Sequence, residues 1–396
     1  MLELKLTEQQ RMVLETVKKF AKQEIAPQAE KVDREKTFNE ALFKKMAELG
    51  LLGITFPEEY GGLGEGMFLL VLVLEEISRH CMSTAAALAA HYLAGDPICE
   101  FATPDQKERY LAKMASGELL CAFALTEPGA GSDISAISTM ARRDGDEYVI
   151  DGRKCFISNA GVAGLYLLVA RTEKAKGMAG LSAFILEEGT SGFILGKEEE
   201  KMGMRGTTNR ELIFENCRLP VTNLLGQENQ GWEVIKEAIN RGRISTAAYA
   251  LGPGQAALEA SIAYANQRVQ FERPIAQFQA IQFMLADMAN DILGARLKIY
   301  HAATLADLGQ PYEIEAALAK LSASDASMAA TVNGVQIHGG YGYMKDFPVE
   351  RYMRDAKITQ IVEGTNQIQR ILIGRGLVKG KTPGGGIVTW TIEGQG

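Results

Sequence analysis

Apolar residues recur at helical spacing over the first part of the chain. A capping box of Thr7 and Gln10 marks the start of the first helix, which Pro27 is expected to end. The apolar residues of this helix share one face: Val13, Val17, Phe20 and Ala21. Further helices are predicted at 41–49, 67–78, 84–94 and 105–114. Residues 1–120 therefore form an all-helical domain in this prediction.

Short β-favouring runs replace the helical pattern from about residue 121. They lie at 148–150, 155–157, 165–170, 181–186 and 211–214. Asp151-Gly152, Gly189 and Gly192 separate them as predicted turns. Because no helix-length stretch lies between the strands, we expect a mostly antiparallel sandwich or partial barrel over residues 121–226.

Long helices return in the last part of the chain. They are predicted at 232–250, 254–267, 279–308 and 312–337, as in a four-helix bundle over residues 227–380. Alanines on the last helix favour close helix packing: Ala316, Ala317, Ala319, Ala323, Ala326 and Ala330. Residues 381–396, rich in glycine, are predicted to be a flexible tail. The fold class is multidomain α+β.

Composition and charge exclude several classes of protein. Asp and Glu number 49 against 42 Lys and Arg, a net charge of −7, and a nucleic-acid-binding surface would need a basic patch. No apolar run approaches the ~20 residues of a membrane span. The five cysteines are widely spaced and the four histidines form no ligand motif, so we expect no metal site and no disulfide framework. The cysteines are interpreted as buried small apolar residues.

Two glycine-rich segments could bind a phosphate or a flat ligand through their backbone. The first is Thr126–Asp133, which lacks the third glycine and the βαβ context of a dinucleotide fingerprint. The second is 336–342, where His338 is interpreted as packed or solvated rather than catalytic. A surface loop and a tight interhelical loop are the respective structural alternatives.

Two charged features are candidates for chemistry. Glu363 precedes a helix whose N-cap is Thr365 or Asn366, and its apolar neighbours could desolvate it, raise its pKa and make it a general base. The helix N-terminus would oppose this rise, and a solvated glutamate is the alternative. Arg241 and Arg243 could bind phosphate or carboxylate, or form structural ion pairs.

Taken together, these motifs resemble the acyl-CoA dehydrogenase family, and the resemblance extends to about Lys379. The segments that carry it are 56–62, 126–133, 156–159, 201–206, 268–274, 336–340, 354–356 and 363–365. The resemblance implies an α, β, α arrangement, FAD as cofactor and a homotetramer. Electrons would leave through an electron-transferring flavoprotein.

The resemblance also assigns residues. Glu363 would remove the α-proton of an acyl-CoA thioester while flavin N5 accepts the β-hydride. The positions matching cofactor contacts are Phe123, Leu125, Thr126, Gly131, Ser132, Phe156, Ile157, Ser158, Arg268, Gln270, Phe271, Gln279, Gln336, Ile337, Gly339, Gly340, Thr365, Asn366 and Gln367. Substrate-side positions are Ser132, Asn240, Arg241, Gly242, Arg243, Val362 and Gly364.

Two positions bear on subclass within this family. Isovaleryl- and long-chain-type members take their base from the position matched by Gly242, so Glu363 is the base candidate here. Short- and medium-chain members usually carry tyrosine where this chain has Val362. The smaller side chain leads to the hypothesis of a short acyl group, straight, branched or alicyclic.

Other functions of the same fold stay open at this point. They are an acyl-CoA or nitroalkane oxidase, a decarboxylating enzyme of the glutaryl-CoA type, and a helical scaffold without cofactor. The acidic pI and the absence of a targeting segment favour a bacterial cytoplasmic enzyme, with the mitochondrial matrix after transit-peptide removal as the alternative.

Overall fold

The amino-terminal part of the computed structural model, which describes residues 6–380, is helical. Its helices are α1 (Glu8–Phe20), α2 (Ala29–Glu35), α3 (Glu40–Glu48), α4 (Met67–His80), α5 (Met82–Phe101) and α6 (Pro104–Ala115). The capping box of Thr7 and Gln10 is confirmed. The prediction that Pro27 ends the first helical run is wrong, because a π-helical turn and a 3₁₀ turn lead directly into α2. Pro27 lies in the first turn of the 3₁₀ segment, where its missing N–H is tolerated.

A β-sheet follows the helices. Its strands are β1 (Cys121–Ala124), β2 (Met140–Asp144), β3 (Glu147–Ser158), β4 (Leu165–Arg171), β5 (Leu181–Glu187), β6 (Phe193–Glu198), β7 (Asn209–Pro220) and β8 (Leu224–Leu225). Their order is β6-β7-β3-β2-β4-β5-β8, with β1 beside β4. Most pairs are antiparallel, as predicted, whereas β4 pairs with β1 and β2 in parallel. Tyr148 of β3 contacts Phe184 of β5 with ring centroids 4.9 Å apart, so the sheet curves around its own core.

One predicted turn lies inside a strand. Asp151-Gly152 belongs to β3, and the pairing of β3 with β7 shifts register between Ile150 and Gly152. A Cβ at Gly152 would lie 2.6 Å from the Thr139 hydroxyl oxygen, and its φ is +150°. Glycine therefore marks a β-bulge with a close backbone approach here. The turns at Gly189 and Gly192 are confirmed by their positions between β5 and β6.

The carboxy-terminal part is again helical. It comprises α7 (Gly231–Gln267), a small hairpin of β9 (Val269–Gln270) and β10 (Arg273–Pro274), α8 (Gln279–Asp307), α9 (Glu313–His338), α10 (Gly340–Tyr343), α11 (Val349–Lys357) and α12 (Asn366–Val378). The two helices predicted on either side of Pro253 are one, α7. Gly252 lies against the α4 backbone, where a Cβ would be 2.5 Å from the nitrogen of Arg79. Pro253 is thus accommodated in a helix that packs closely on its neighbour, although a proline inside a helix costs about 3 kcal/mol.

A shared hydrophobic core joins the two helical parts. It includes Leu88 of α5, Ile244 of α7 and Ala323 of α9, none of which is exposed. The predicted alanine face of α9 is buried as expected. Because α7 packs on both α5 and α9, the segment between α11 and α12 lies beside α7 at Gly242 and is bound to α9 at Lys320. The predicted tail at 381–396 lies outside the described residues.

Most of the cysteines are buried, as interpreted, and only Cys99 is half-buried. Among residues 6–380, no helix combines the length and apolarity needed to cross a bilayer. Within that same range, no group of three or more His, Cys, Asp or Glu side chains is placed to hold a metal ion.

Candidate active site

Glu363 lies in a tight loop between α11 and α12. Glu363 and Gly364 both have positive φ, 53° and 83°. The Gln369 side-chain amide donates to both of their carbonyl oxygens, at 2.9 and 2.8 Å. Thr365 is the N-cap of α12, and its hydroxyl accepts from the Ile368 N–H, as the sequence predicted. A non-glycine residue in the left-handed region is strained, so these contacts hold Glu363 in a defined orientation.

The Glu363 carboxylate is in an environment that favours its neutral form. Desolvation raises the pKa of Glu363 to about 7, while the positive charges of Arg243 and Lys320 oppose the rise. Of the two sequence-based interpretations, a desolvated carboxyl and a solvated glutamate, this environment agrees with the first. A base with a pKa close to the working pH is suited to proton abstraction.

Gly242 makes room for this carboxylate. A Cβ at position 242 would lie 2.9 Å from Glu363 Oε2 and 2.6 Å from Leu93 Cδ1. The carboxylate therefore approaches the surface of α7 at Gly242, where no side chain stands between them, on the side that faces Leu93 of α5. Glu363, Gly242 and Leu93 form the inner part of the candidate site.

The two arginines of α7 have different roles. The Arg241 Nε donates to Asp96 of α5 at 2.8 Å, and this carboxylate is buried. Arg241 therefore forms a structural ion pair, which is one of the two roles that the sequence left open for it. Arg243 instead donates to the Asn240 side-chain oxygen at 2.6 Å and acts on the charge of Glu363. Its Nε is buried without a hydrogen-bond partner among the described residues.

The first glycine-rich segment is held against β3. Phe123 and Ala124 are the last two residues of β1, and Leu125 and Thr126 follow the strand. The Cys155 N–H donates to the Thr126 carbonyl at 2.9 Å, and the buried Lys154 ammonium donates to the Leu125 carbonyl at 2.9 Å. Lys154 also donates to the Glu127 carboxylate at 2.7 Å. These contacts bring two predicted cofactor segments side by side.

The remaining residues of both segments point to solvent or into the sheet. Gly131 and Ser132 are exposed, and a Cβ at Gly131 would meet nothing within 4 Å. Phe156 has a φ of 59° and is 65% exposed, whereas the Ile157 side chain is buried in the β core. The Ser158 hydroxyl oxygen accepts from the Asn209 amide at 3.1 Å.

A second group of predicted residues lies at the far end of α9. The Arg268 guanidinium is 5.5 Å from the centroid of Tyr341, so the end of α7 meets the second glycine-rich segment. His338 is packed, as expected, with its ring 4.3 Å from that of Tyr264. The exposed members of this group are Gln270, Phe271, Gln279, Gln336, Gly339 and Gly340, and Ile337 is buried.

This second group is distant from Glu363 along α9. Lys320, which contacts the Glu363 loop, and Gln336 are separated by about 24 Å at 1.5 Å per residue. Thr365 and Gln367 line an open pocket beside the start of α12. Asn366 is buried, and its side chain bonds to Ser324 and Asp325 of α9.

Residues that sequence reasoning missed support the predicted ones. Leu93, Lys320 and Gln369 contact the Glu363 loop or its surroundings, and Lys154 supports the first glycine-rich segment. The one available signal was a lone lysine, Lys320, on the alanine face of α9. Gln369 follows Glu363 by six residues, but no known local motif marks it as a donor to the loop. Leu93 and Lys154 lie far in sequence from the residues they support.

Comparison with known proteins gives matches along the whole described chain. Three family models match in order: the acyl-CoA dehydrogenase N-terminal domain at residues 7–118, the middle domain at 122–217 and the C-terminal domain at 229–378. Acryloyl-CoA reductase (NADH) of Anaerotignum propionicum is 46% identical over 96% of each chain. Cyclohex-1-ene-1-carbonyl-CoA dehydrogenase of Geobacter metallireducens is 45% identical over 94% of this chain and 99% of the relative.

Solved structures agree with these matches. Butyryl-CoA dehydrogenase of Megasphaera elsdenii superposes with a TM-score of 0.93 at 41% identity, covering 95% of this chain and all (100%) of the other. A chain in the structure of the electron-transferring flavoprotein of Acidaminococcus fermentans also has a TM-score of 0.93, at 47% identity over 96% and 100% of the two chains. The chain therefore belongs to the acyl-CoA dehydrogenase family of oxidoreductases.

Proposed function

We propose that this protein catalyses the FAD-dependent α,β-dehydrogenation of a short-chain acyl-CoA thioester to the 2-enoyl-CoA, with Glu363 as the base. The observation that carries the proposal is the environment of the Glu363 carboxylate. Desolvation raises its pKa to about 7, and it faces α7 at Gly242, which has no side chain. An α-proton of a thioester is weakly acidic, so its removal needs a positioned base that is ionised near neutral pH.

The residues present fit FAD. Phe156 exposes a large aromatic ring while held at a positive φ, and such strain is typical of residues that contact a ligand. Next to it, the Ser158 oxygen accepts from Asn209, which leaves its hydroxyl hydrogen free to donate to the flavin. Arg268, at the far end of α9, provides a cation for the pyrophosphate of the FAD bound to a neighbouring subunit, as the family resemblance implies. When bound, FAD would accept the β-hydride.

The protein's own groups account for the other half of the reaction. Glu363 takes the α-proton, and its main-chain N–H, which donates to no acceptor among the described residues, can bind the thioester carbonyl oxygen. Leu93 and Gly242 lie beside the carboxylate, whose burial desolvates it. The desolvated site keeps the base reactive while the thioester is held in place.

A short acyl group is part of the proposal. Val362 precedes the base, and it leaves more space beside the reacting carbons than a tyrosine would. The similarity to enzymes named for acryloyl-, butyryl- and cyclohexene-carbonyl-CoA supports small straight or alicyclic acyl groups. The name of the first of these also favours a second candidate, reduction of a short 2-enoyl-CoA, in which a protonated Glu363 would donate to the α-carbon.

Assembly and partners follow from the same family. We propose a homotetramer that passes electrons to an electron-transferring flavoprotein in the cytoplasm. Exposed apolar side chains on the β9–β10 hairpin and α8 support subunit contacts, among them Phe271 at 87% and Phe283 at 63% exposure. A cytoplasmic location and this electron acceptor carry over from the sequence-based expectation.

The test is an anaerobic absorption spectrum of the purified protein with short straight, branched and alicyclic acyl-CoAs added in turn. Bleaching of the flavin bands by one thioester, slowed about 10²- to 10⁴-fold in Glu363→Gln, is the expected result. Unchanged bleaching in Glu363→Gln would contradict the assignment of the base. Reoxidation of reduced protein by a short 2-enoyl-CoA measures the reverse reaction.

A further inference from the structure

A buried lysine lies behind the loop that carries Glu363. The Lys320 side chain on α9 has no exposed surface. Its ammonium donates to the Gly364 carbonyl at 2.9 Å and to the Asn366 side-chain oxygen at 2.9 Å. Both acceptors lie within three residues of Glu363, so this one ammonium ties the loop and the start of α12 to α9.

The acceptors of Lys320 are themselves fixed. The Asn366 amide donates to Ser324 at 2.9 Å and to Asp325 at 2.7 Å, both on α9. The Gly364 carbonyl also accepts from Gln369 at 2.8 Å. The loop is thus bound from two sides, by α9 and by α12, with Lys320 as the charged donor.

Few charged or titratable side chains act on Glu363. Arg243 of α7 and Lys320 of α9 are positively charged. Tyr249 of α7 is a neutral phenol, and the negative charge of Glu363 helps to raise its pKa. Asp325 of α9 brings a negative charge that acts on Lys320. Removal of Lys320 therefore leaves Arg243 as the cation that acts on the base.

A neutral donor would satisfy the carbonyl at lower cost. Burying an ammonium carries a desolvation penalty of several kcal/mol per ion. Burial lowers the pKa of Lys320 to about 8, while Glu363 and Asp325 act to raise it, so the group is charged at neutral pH. A charge kept at such a cost points to a role for the charge and not only for the hydrogen bonds.

We propose that Lys320 is a positioning residue for the base: it fixes the Glu363 loop through Gly364 and Asn366, and its buried positive charge, bound to the carbonyl of the next residue, favours the ionised form of the Glu363 carboxylate. This inference rests on the proposed function of Glu363. Lys320 does not touch the substrate side of the site, because its ammonium is used by the loop backbone and by Asn366.

The sign of the effect follows from the charge. A nearby cation favours the ionised carboxylate, so its loss raises the pKa of Glu363. A rise of about one pH unit is expected for a nearby charge. At pH 7 the ionised fraction of Glu363 would fall about fivefold, and the rate would recover at higher pH.

Two variants of the holoenzyme separate the effect of the Lys320 charge from that of its hydrogen bonds to the loop. Lys320→Gln removes the charge and keeps a hydrogen-bond donor, and Lys320→Met removes both. Lys357 is exposed and its ammonium donates to the Gln360 side-chain oxygen at 2.8 Å. The variant Lys357→Met therefore gives a matched loss of charge in the same part of the protein. Each is measured by the pH profile of flavin reduction and by infrared titration of the Glu363 carboxyl, with Glu363→Gln subtracted.

The expected result is an upward shift of both midpoints by about one pH unit in the two Lys320 variants and none in Lys357→Met. If Lys320→Met does not fold, Lys320→Gln alone decides. A pH-independent loss of rate with an unmoved infrared midpoint would overturn the proposed charge role. Because the infrared titration needs no turnover, its outcome is separate from the test of Glu363 as the base.

Discussion

Gly242→Ala tests whether the bare surface of α7 positions the base. The new methyl would lie 2.9 Å from Glu363 Oε2 and 2.6 Å from Leu93 Cδ1, whereas ordinary contact begins at 3.4 Å. If the helix backbone stays in place, the carboxylate must therefore move by about 0.5 Å or more and the Leu93 side chain by about 0.8 Å. Displacement of a reacting group by 1 Å can cost about 10²-fold in rate. We expect the rate of flavin reduction to fall by about 10- to 100-fold.

Stability should change much less than the rate. Alanine gains up to ~1 kcal/mol over glycine inside a helix, and overpacking costs about 1–3 kcal/mol. Gly294, inside α8, is the matched control, because a Cβ there would meet nothing within 4 Å. Gly294→Ala should keep the wild-type rate. Stopped-flow spectroscopy measures the rate of flavin reduction, and thermal unfolding measures the stability. A wild-type rate in Gly242→Ala would refute the placement of the carboxylate against Gly242.

Three further predictions concern the base, the cofactor loop and the acyl pocket. The value of kcat/KM should rise with pH through about 7, because Glu363 must be ionised to accept a proton, and a profile flat from pH 5 to 9 would contradict this. Lys154→Met leaves the buried Glu127 carboxylate without its cation, so we expect a loss of about 3–5 kcal/mol in unfolding free energy and faster release of FAD, measured by chemical denaturation and flavin fluorescence. Val362→Tyr should lower kcat/KM for branched and alicyclic acyl-CoAs more than for butyryl-CoA, and an unchanged ranking of these substrates would count against the acyl-pocket hypothesis.

Local signals in the sequence determined the order of elements and the start of the helix that follows Glu363. Apolar periodicity and capping residues act over a few positions, so the α, β, α order was predictable and the cap of α12 was narrowed to Thr365 or Asn366. The same signals failed where packing overrides them. Pro253 lies within α7 because that helix packs on α4, and Gly152 marks a bulge because β3 approaches Thr139.

Only the tertiary structure decided the electrostatics of the site. Arg241 pairs with Asp96, 145 residues away, while Arg243, two positions further along the same helix, acts on Glu363. Lys320 reaches the Glu363 loop across 44 residues of chain. Burial and charge depend on which distant segments pack together, so the sequence and its family resemblance could name Glu363 as the candidate base but not the groups that set its pKa.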